Sequence, residues 1–315
     1  MITLSARVRR LWQPDCRRLL WAIGDATVRY GVAIAGQVAL AHFLSLEQMG
    51  MVAMGMALTG SLGFLAMDGV GTASIGPMTR NRLGVYRVSY ASQLAGRLAL
   101  SGLLTLIGGL WCRLTPANTR LLPFLVATTL LSPWLEFSPW QDYLTARGKL
   151  GLRLLVNGLT SLLSLTVMLS LALWGAPALL ILCGKYVPTA LVMIGASTAL
   201  CLRLRRHQAV EAGWIRYGLV RTGVSALGLL AGSVDKLLIG LFVSLPALAA
   251  VSYAEGLYGL LQAVYKALET AYSSRIGSTK DRTALVKTLR RHAALLSLPL
   301  GLGAVHADDQ EKAQV

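Results

Sequence analysis

The side chains able to do chemistry in this sequence are charges embedded in long apolar runs: Asp25, Arg29, Asp68, Arg97, Glu136, Lys185, Arg221, Asp235, Lys236, Glu255, Lys266 and Glu269. A charge at mid-bilayer costs about 2.5–3.5 kcal/mol on insertion scales. If all of these faced lipid at that depth, the total would be roughly 30–40 kcal/mol. Each must therefore pair, reach the interface or face a wet cavity. Asp25 and Arg29 are four apart with the acid first, which suits an intrahelical ion pair. Lys266 and Glu269, three apart, suit the same arrangement. Arg97, Arg221 and Glu269 lie near the ends of their runs and can snorkel to the interface. Asp68, Lys185, Asp235, Lys236 and Glu255 lie deeper. They point to the lining of a polar pathway, with purely structural pairing as the alternative.

No catalytic constellation accompanies these charges. A GxxxxGK[ST] phosphate loop is absent; Gly277-Ser278-Thr279-Lys280 lacks the first glycine and the spacing. There is no GxSxG elbow and no HExxH. Cys16, Cys112, Cys183 and Cys201 have no metal spacing, and His42, His207, His292 and His306 are isolated. The reading is a non-enzyme without catalytic residues, metal or cofactor, driven by an ion gradient or by its substrate's own gradient. A multispanning glycosyltransferase or polymerase would need a large exterior loop, and every outer loop here is short.

The elements that carry the charges are membrane helices. With 55% hydrophobic and 14% charged residues, the chain is far from the roughly 25% charge of a soluble domain. Apolar runs long enough to cross ~30 Å of hydrocarbon need about 20 residues each. They occur at Leu19–Leu44, Gln48–Ile75, Leu94–Cys112, Leu121–Tyr143, Leu152–Trp174, Ala178–Leu202, Tyr217–Val243 and Ala247–Ser273. Backbone groups in lipid must bond within their own segment, so an all-α multispanning bundle is expected. Pro123, Pro133 and Pro139 predict kinks in the fourth span. Gly228 and Gly232 form a GxxxG spacing that permits close helix approach in the seventh. Residues Asn81–Ser92 read either as an amphipathic surface piece or as a loop. Trp12, Trp21, Trp111, Trp174 and Trp214 fall near interfaces.

Every second hydrophilic segment is basic. Most of the 30 Lys and Arg lie in the tail before Leu19, around Arg80–Arg87, Arg147–Arg153 and Arg203–Arg216, and from Arg275 to Arg291. The loops near Ser45, Trp174 and Ser244 carry none, and the loop near Pro116 carries only Arg113 and Arg120. Lys and Arg resist translocation, so the basic segments are cytoplasmic and the N-terminus is inside. The net charge of +16 therefore reads as topology with some attraction to anionic membrane lipids. No nucleic-acid motif accompanies it. The run from Leu19 is too long for a signal peptide and is retained as a first span.

This divides the chain into a basic tail (1–18), a first six-helix bundle (19–202), a basic linker (203–216), an incomplete second bundle (217–304) and a polar tail (305–315). A ninth apolar run, Ala293 to Ala304, is too short to span. The expectation is a truncated or frameshifted transporter, or alternatively a re-entrant or surface segment. A shift of 199 residues lays the first two spans on the seventh and eighth: Phe43-Leu44-Ser45-Leu46 falls on Phe242-Val243-Ser244-Leu245, and Gly60 on Gly259. The shift crosses an even number of spans, so the repeat is parallel, and the charged helices are mainly those it relates. Repeat transporters place their sites at such interfaces.

The stretch from Phe43 to Gly50, the helix ending Met67-Asp68-Gly69-Val70-Gly71-Thr72-Ala73, and Ser233-Val234-Asp235-Lys236-Leu237-Leu238-Ile239-Gly240 with the following Tyr253 helix resemble a known family. It is the polysaccharide flippase branch of the multidrug/oligosaccharidyl-lipid/polysaccharide exporter superfamily, and the likeness covers roughly residues 10–302. The resemblance implies two bundles, a central cavity and alternating access in the bacterial cytoplasmic (inner) membrane. It implies movement of an undecaprenyl-diphosphate-linked oligosaccharide to the outer leaflet, with polysaccharide polymerase and glycosyltransferase machinery as further partners. A lipid diphosphate needs cations to offset its charge in a low-dielectric cavity. Arg29, Lys185, Arg221 and Lys236 are the candidates for that contact, and Asp68, Asp235 and Glu255 for ion coupling. The alternatives are a multidrug/cation antiporter, a lipid II flippase, and an inactive remnant or membrane scaffold. An antiporter should show an acidic cavity, whereas the charges in these spans are balanced.

Overall fold

A computed structural model describes residues 14–114, 120–256, 267, 270 and 271 of the chain. Among the described residues the fold is helical throughout, without strands. The elements are α1 (Pro14–Phe43), α2 (Leu46–Ser61), α3 (Asp68–Thr79), α4 (Val85–Leu114), α5 (Leu122–Leu135), α6 (Pro139–Ala146), α7 (Leu150–Leu173), α8 (Ala178–Arg203), α9 (Trp214–Leu238) and α10 (245–256). A 3-10 turn (Gly63–Ala66) joins α2 to α3, and a π turn (Ile239–Val243) extends α9. Four helices are long and apolar enough to cross a membrane, and α2 with α3 makes a fifth if that pair, bent by 63°, is one span. The eighth expected span is described only as far as Gly256. Lys266, Glu269, the ninth apolar run and the polar tail lie outside the described residues.

One helix, α7, is inverted relative to those of a water-soluble bundle. On α7 the buried positions include Arg153, Asn157, Thr160, Ser164 and Met168. Most of the exposed positions are leucines, among them Leu152, Leu155, Leu159, Leu162, Leu163 and Leu169. A helix in water hides its apolar face. Apolar faces outward and polar faces inward are the pattern of a membrane-embedded protein, whose surroundings are as apolar as leucine.

The ends of the bundle differ as the loop charges do. At one end the described basic segments touch one another. Arg80 makes a bidentate pair with Glu211 (2.6 and 3.1 Å), Arg87 donates to Arg205 O (3.2 Å), and Arg147 donates to Asn81 Oδ1 (3.1 Å). Gly84 N donates to Ala209 O, and the Arg18 guanidinium lies against Gly148. At the other end Leu44, Leu121, Ala176 and Leu245 belong to one apolar cluster. Two turns there are built alike: Ser45 Oγ accepts from Gln48 N and Ser244 Oγ accepts from Ala247 N, each at 3.2 Å. Each serine caps the helix that follows, at the positions equated by the 199-residue shift.

Several expectations change. The segment from Asn81 to Ser92 is neither a surface piece nor a loop: α4 begins at Val85, and Tyr86, Ser89 and Gln93 are buried. Tyr86 anchors it by donating to Ser197 O (3.0 Å) on α8. Gly228 and Gly232 face open space. The close approach is made instead by Gly69 of α3 and Gly218 of α9, where a methyl group at 69 would sit 2.5 Å from Thr222 N. Trp214 is buried against Val70, Ala73 and Val85 rather than placed at an interface. The α1–α2 connection is short, as expected, but the two helices do not pack along each other. Instead α1 lies on α7, and α2 lies on α5 and α9. That divergence opens space between α1 and α2.

Two of the expected spans are interrupted, and one residue joins the breaks. The first lies between α2 and α3, where Met67 takes a left-handed conformation (φ 58°) and Asp68 opens α3. The second lies between α5 and α6, after Pro133. Arg97 of α4, only 1% exposed, donates to Asp68 Oδ1 (2.5 Å), Glu136 O (2.7 Å) and Pro133 O, and its guanidinium faces Phe137. It does not snorkel, because Asp68 and the carbonyls freed at the α5 break take up its two terminal nitrogens in place. Broken helices at membrane depth need such partners for their backbone groups. We predict that Arg97→Ala lowers stability by about 3 kcal/mol. This is the lower part of the range for a severed buried pair, because Asp68 is half-exposed. Arg97→Lys should rescue little, since a compact ammonium lacks the planar guanidinium's spread of donors across two helix breaks. Thermal unfolding of the detergent-solubilised protein, followed by circular dichroism, checks both.

Candidate functional site

The space between α1 and α2 is a cavity of two connected lobes, of about 470 and about 280 Å³. The larger lobe lies among α1, α2, α8, α9 and α10. Its wall is apolar along Val52, Ala53, Met56 and Ala57 of α2, and polar at Tyr30 and Gln37 of α1 and at Ser252 and Tyr253 of α10. The smaller lobe lies among α1, α7 and α8 and is rich in uncharged hydrogen-bonding groups: Gln141, Asn157, Thr160, Ser161, Ser164 and Thr189. Ala33, Gln37, Met56, Lys185 and Tyr186 line both.

Lys185 therefore stands where the lobes join. Gly36 of α1 makes room for it: a methyl group at 36 would meet Lys185 Cε at 3.2 Å. Its ammonium lies 5.5 Å from the centre of the Tyr186 ring, and Ser164 Oγ donates to its backbone carbonyl. Among the described residues no carboxylate lies within ion-pair distance of it. Lys236 enters the larger lobe from α9 already paired with Glu255 of α10 at 2.5 Å. Glu136, released from regular helix by the α5 break, reaches the same lobe.

The floor of the smaller lobe is a buried network. Asp25 accepts from Asn157 Nδ2 (2.6 Å) and is flanked by Arg153 Nε (3.2 Å) and Arg29 Nε (3.6 Å). Asn157 Oδ1 accepts from Gln141 Nε2 (3.3 Å), and Arg153 donates to Thr145 Oγ1 (2.9 Å). The expected Asp25–Arg29 pair is present, but Arg153 is the nearer cation. Its place at the edge of a basic loop concealed this role in the sequence.

Of the candidates, Arg29, Lys185, Lys236 and Glu255 line the cavity together, and Arg221, Asp68 and Asp235 do not. Asp68 serves Arg97. Asp235 is exposed on α9, where its carboxylate accepts from Lys236 N (2.9 Å), and Arg221 is half-buried elsewhere on the same helix. Sequence reasoning missed the uncharged lining. A signal existed: Asn157, Thr160, Ser161, Ser164 and Met168 recur at helical spacing on one face of α7. It also passed over Asp142, which sits with Gln93 against Gly71 outside the cavity. Among the described residues no cluster of His, Cys, Asp or Glu could hold a metal ion.

No protein-family model matches the chain, and no curated protein or solved structure is significantly similar to it. Function must be argued from the cavity itself.

We predict that the cavity is wet. In a background with Cys16, Cys112, Cys183 and Cys201 replaced by serine, Lys185→Cys should react with a charged, water-soluble thiol reagent. Leu163→Cys, on the outward face of α7, should be at least tenfold slower, because thiolate formation needs water. Equal rates would mean that the two positions share one environment.

Proposed function

We propose that this protein is a flippase for a lipid-linked oligosaccharide, of the polysaccharide branch of the exporter superfamily that its sequence resembles. It would sit in the bacterial inner membrane with its basic loops and N-terminus in the cytoplasm. The observation that carries the reading is the placement of Lys185. A cation without a protein counter-ion, among the described residues, stands between a lobe lined by hydroxyls and amides and a lobe with an apolar wall. A diphosphate linking a glycan to a polyprenyl chain has the same order of parts. Sugars need many neutral hydrogen-bonding groups, which the α7 face and Thr189 supply. A diphosphate buried from water needs cationic groups to offset its charge.

The two-bundle repeat architecture, with eight spans and a fragment of a ninth, belongs to the same proposal. It is supported by the matched serine caps at Ser45 and Ser244 and by the cavity's position between the hairpins that contain them. Alternating access would close one end of the cavity while opening the other, without hydrolysis of a nucleotide. A multidrug/cation antiporter fits less well, since the lining carries three cations, Arg29, Lys185 and Lys236, against two carboxylates, Glu136 and Glu255. A lipid II flippase would present the same diphosphate and differ only in the glycan.

The test is complementation of strains lacking either an oligosaccharide flippase or the lipid II flippase, read as surface polysaccharide and as viability. Rescue of the first alone is expected, and rescue of neither would remove the transport reading. Among variants with normal membrane insertion, Lys185→Ala should lower surface polysaccharide at least tenfold, about the loss of one charge-assisted hydrogen bond. Lys236→Ala should cost less, because Glu255 already neutralises that ammonium. A larger loss at Lys236 would reverse the assignment.

A further inference from the structure

We infer that a second site, at the basic end of the bundle, binds an anionic phospholipid. The inference rests on the membrane-embedded reading and not on flippase activity. A groove of about 670 Å³, separate from the central cavity, runs between α6, α7 and α8. Its mouth carries Arg147, Lys149, Arg203 and His207, and no carboxylate lines it. These four residues are exposed and come from three places in the chain: the α6–α7 turn, the last turn of α8 and the segment after it. The Arg147 side chain is held in position. It donates to Asn81 Oδ1 (3.1 Å), and its guanidinium lies 5.7 Å from the centre of the Tyr143 ring.

The rest of the lining is mostly apolar, with Asn81, Trp140 and Tyr143 its remaining polar groups. Leu152 and Val156 of α7 face Ala196, Ala199 and Leu200 of α8. Leu152 is half-exposed, and the small side chains Ala196 and Ala199 on α8 leave room for a slot between α7 and α8. A free anion would use the mouth and leave the slot empty. A zwitterionic lipid would fill the slot but bring a choline or amine against three permanent cations. An anionic diacyl lipid satisfies both parts, with its phosphate at the mouth and an acyl chain between α7 and α8. Basic pockets between helices on the cytoplasmic side take such headgroups, and charges near the membrane surface add to the attraction.

Native mass spectrometry of the full chain in detergent tests this without any transport readout. Short-chain phosphatidylglycerol should form a one-to-one adduct at least tenfold more stable than that of phosphatidylcholine, and glycerol phosphate alone should not displace it. The triple variant Arg147→Gln/Lys149→Gln/Arg203→Gln should bind the two lipids alike, a loss on the order of tenfold or more for three surface cations. Ala199→Trp, which fills the slot, should weaken both lipids. Arg205→Gln/Arg206→Gln, at the same end but outside the groove, should change neither. Equal binding of the two lipids by the unmodified protein would overturn the site. So would displacement by glycerol phosphate, or the same loss in the Arg205/Arg206 variant.

Discussion

A single buried guanidinium holds two broken helices to each other, and the cavity depends on it. Arg97 reaches the start of α3 through Asp68 and the end of α5 through the carbonyls of Pro133 and Glu136. Without those partners, an arginine at this depth would be among the costliest groups in the bundle. Without the arginine, the carbonyls freed by the breaks would face an apolar interior, where each unmet group costs on the order of 1–3 kcal/mol. Each side therefore requires the other. The breaks re-aim the chain: α3 turns away from α2 toward α9, and Glu136 leaves the helical ladder to face the larger lobe. The Asp25 network does parallel work on the other wall, tying α1 to α7 through Asn157 and Arg153. With α1 committed to α7 and α2 to α5 and α9, the hairpin joining them stays open.

Charge pairing inside the bundle is uneven, and the unevenness marks the site. Asp25, Asp68 and Glu255 each have a cation at ion-pair distance. Among the described residues Lys185 has no carboxylate at ion-pair distance, and it sits at the meeting point of the two lobes. A cation without a partner in a low-dielectric interior is costly, and water or an anionic ligand reaching it lowers that cost. The polar face of α7 beside it and the apolar face of α2 across from it give the cavity two chemistries on either side of one charge. This is the physical basis for a substrate with a neutral polar part, an anionic centre and an apolar part.

The class of fold was legible because it depends on long-range averages. Apolar run lengths and alternating basic loops are averages of this kind: four or five long apolar helices are present among the described residues, and the described basic segments, Arg80–Arg87, Arg147–Arg153 and Arg203–Arg216, gather at one end of the bundle. Individual roles were less legible because they depend on tertiary partners. Arg97 reads as a snorkelling residue from its position in a run; only the carbonyls of a different, proline-broken helix keep it inside. Arg153 reads as a loop charge until Asp25, far away in the chain, is placed beside it. Gly228 and Gly232 have the right spacing for helix contact, but no described helix faces them, whereas Gly69 and Gly218 carry no spacing signal and bring α3 and α9 close together. Asp235 and Lys236 are adjacent, so at 100° per residue one enters the cavity and the other leaves it. The α7 stripe from Asn157 to Ser164 could have been found by looking for polar rather than apolar periodicity.

The central claim is that the polar lobe receives the glycan of a lipid-linked substrate. Neighbouring residues on α7 test it directly, because Ser161 lines the lobe and Leu162 is exposed on the outward face. A photo-reactive phenylalanine analogue is placed at each position in turn, in cells making undecaprenyl-diphosphate-linked oligosaccharide. After irradiation the purified protein is probed for attached glycan. A glycan adduct at 161 and none at 162 is the predicted result. Adducts at 162 alone, or none at 161 when the protein is expressed and inserted, would contradict the account.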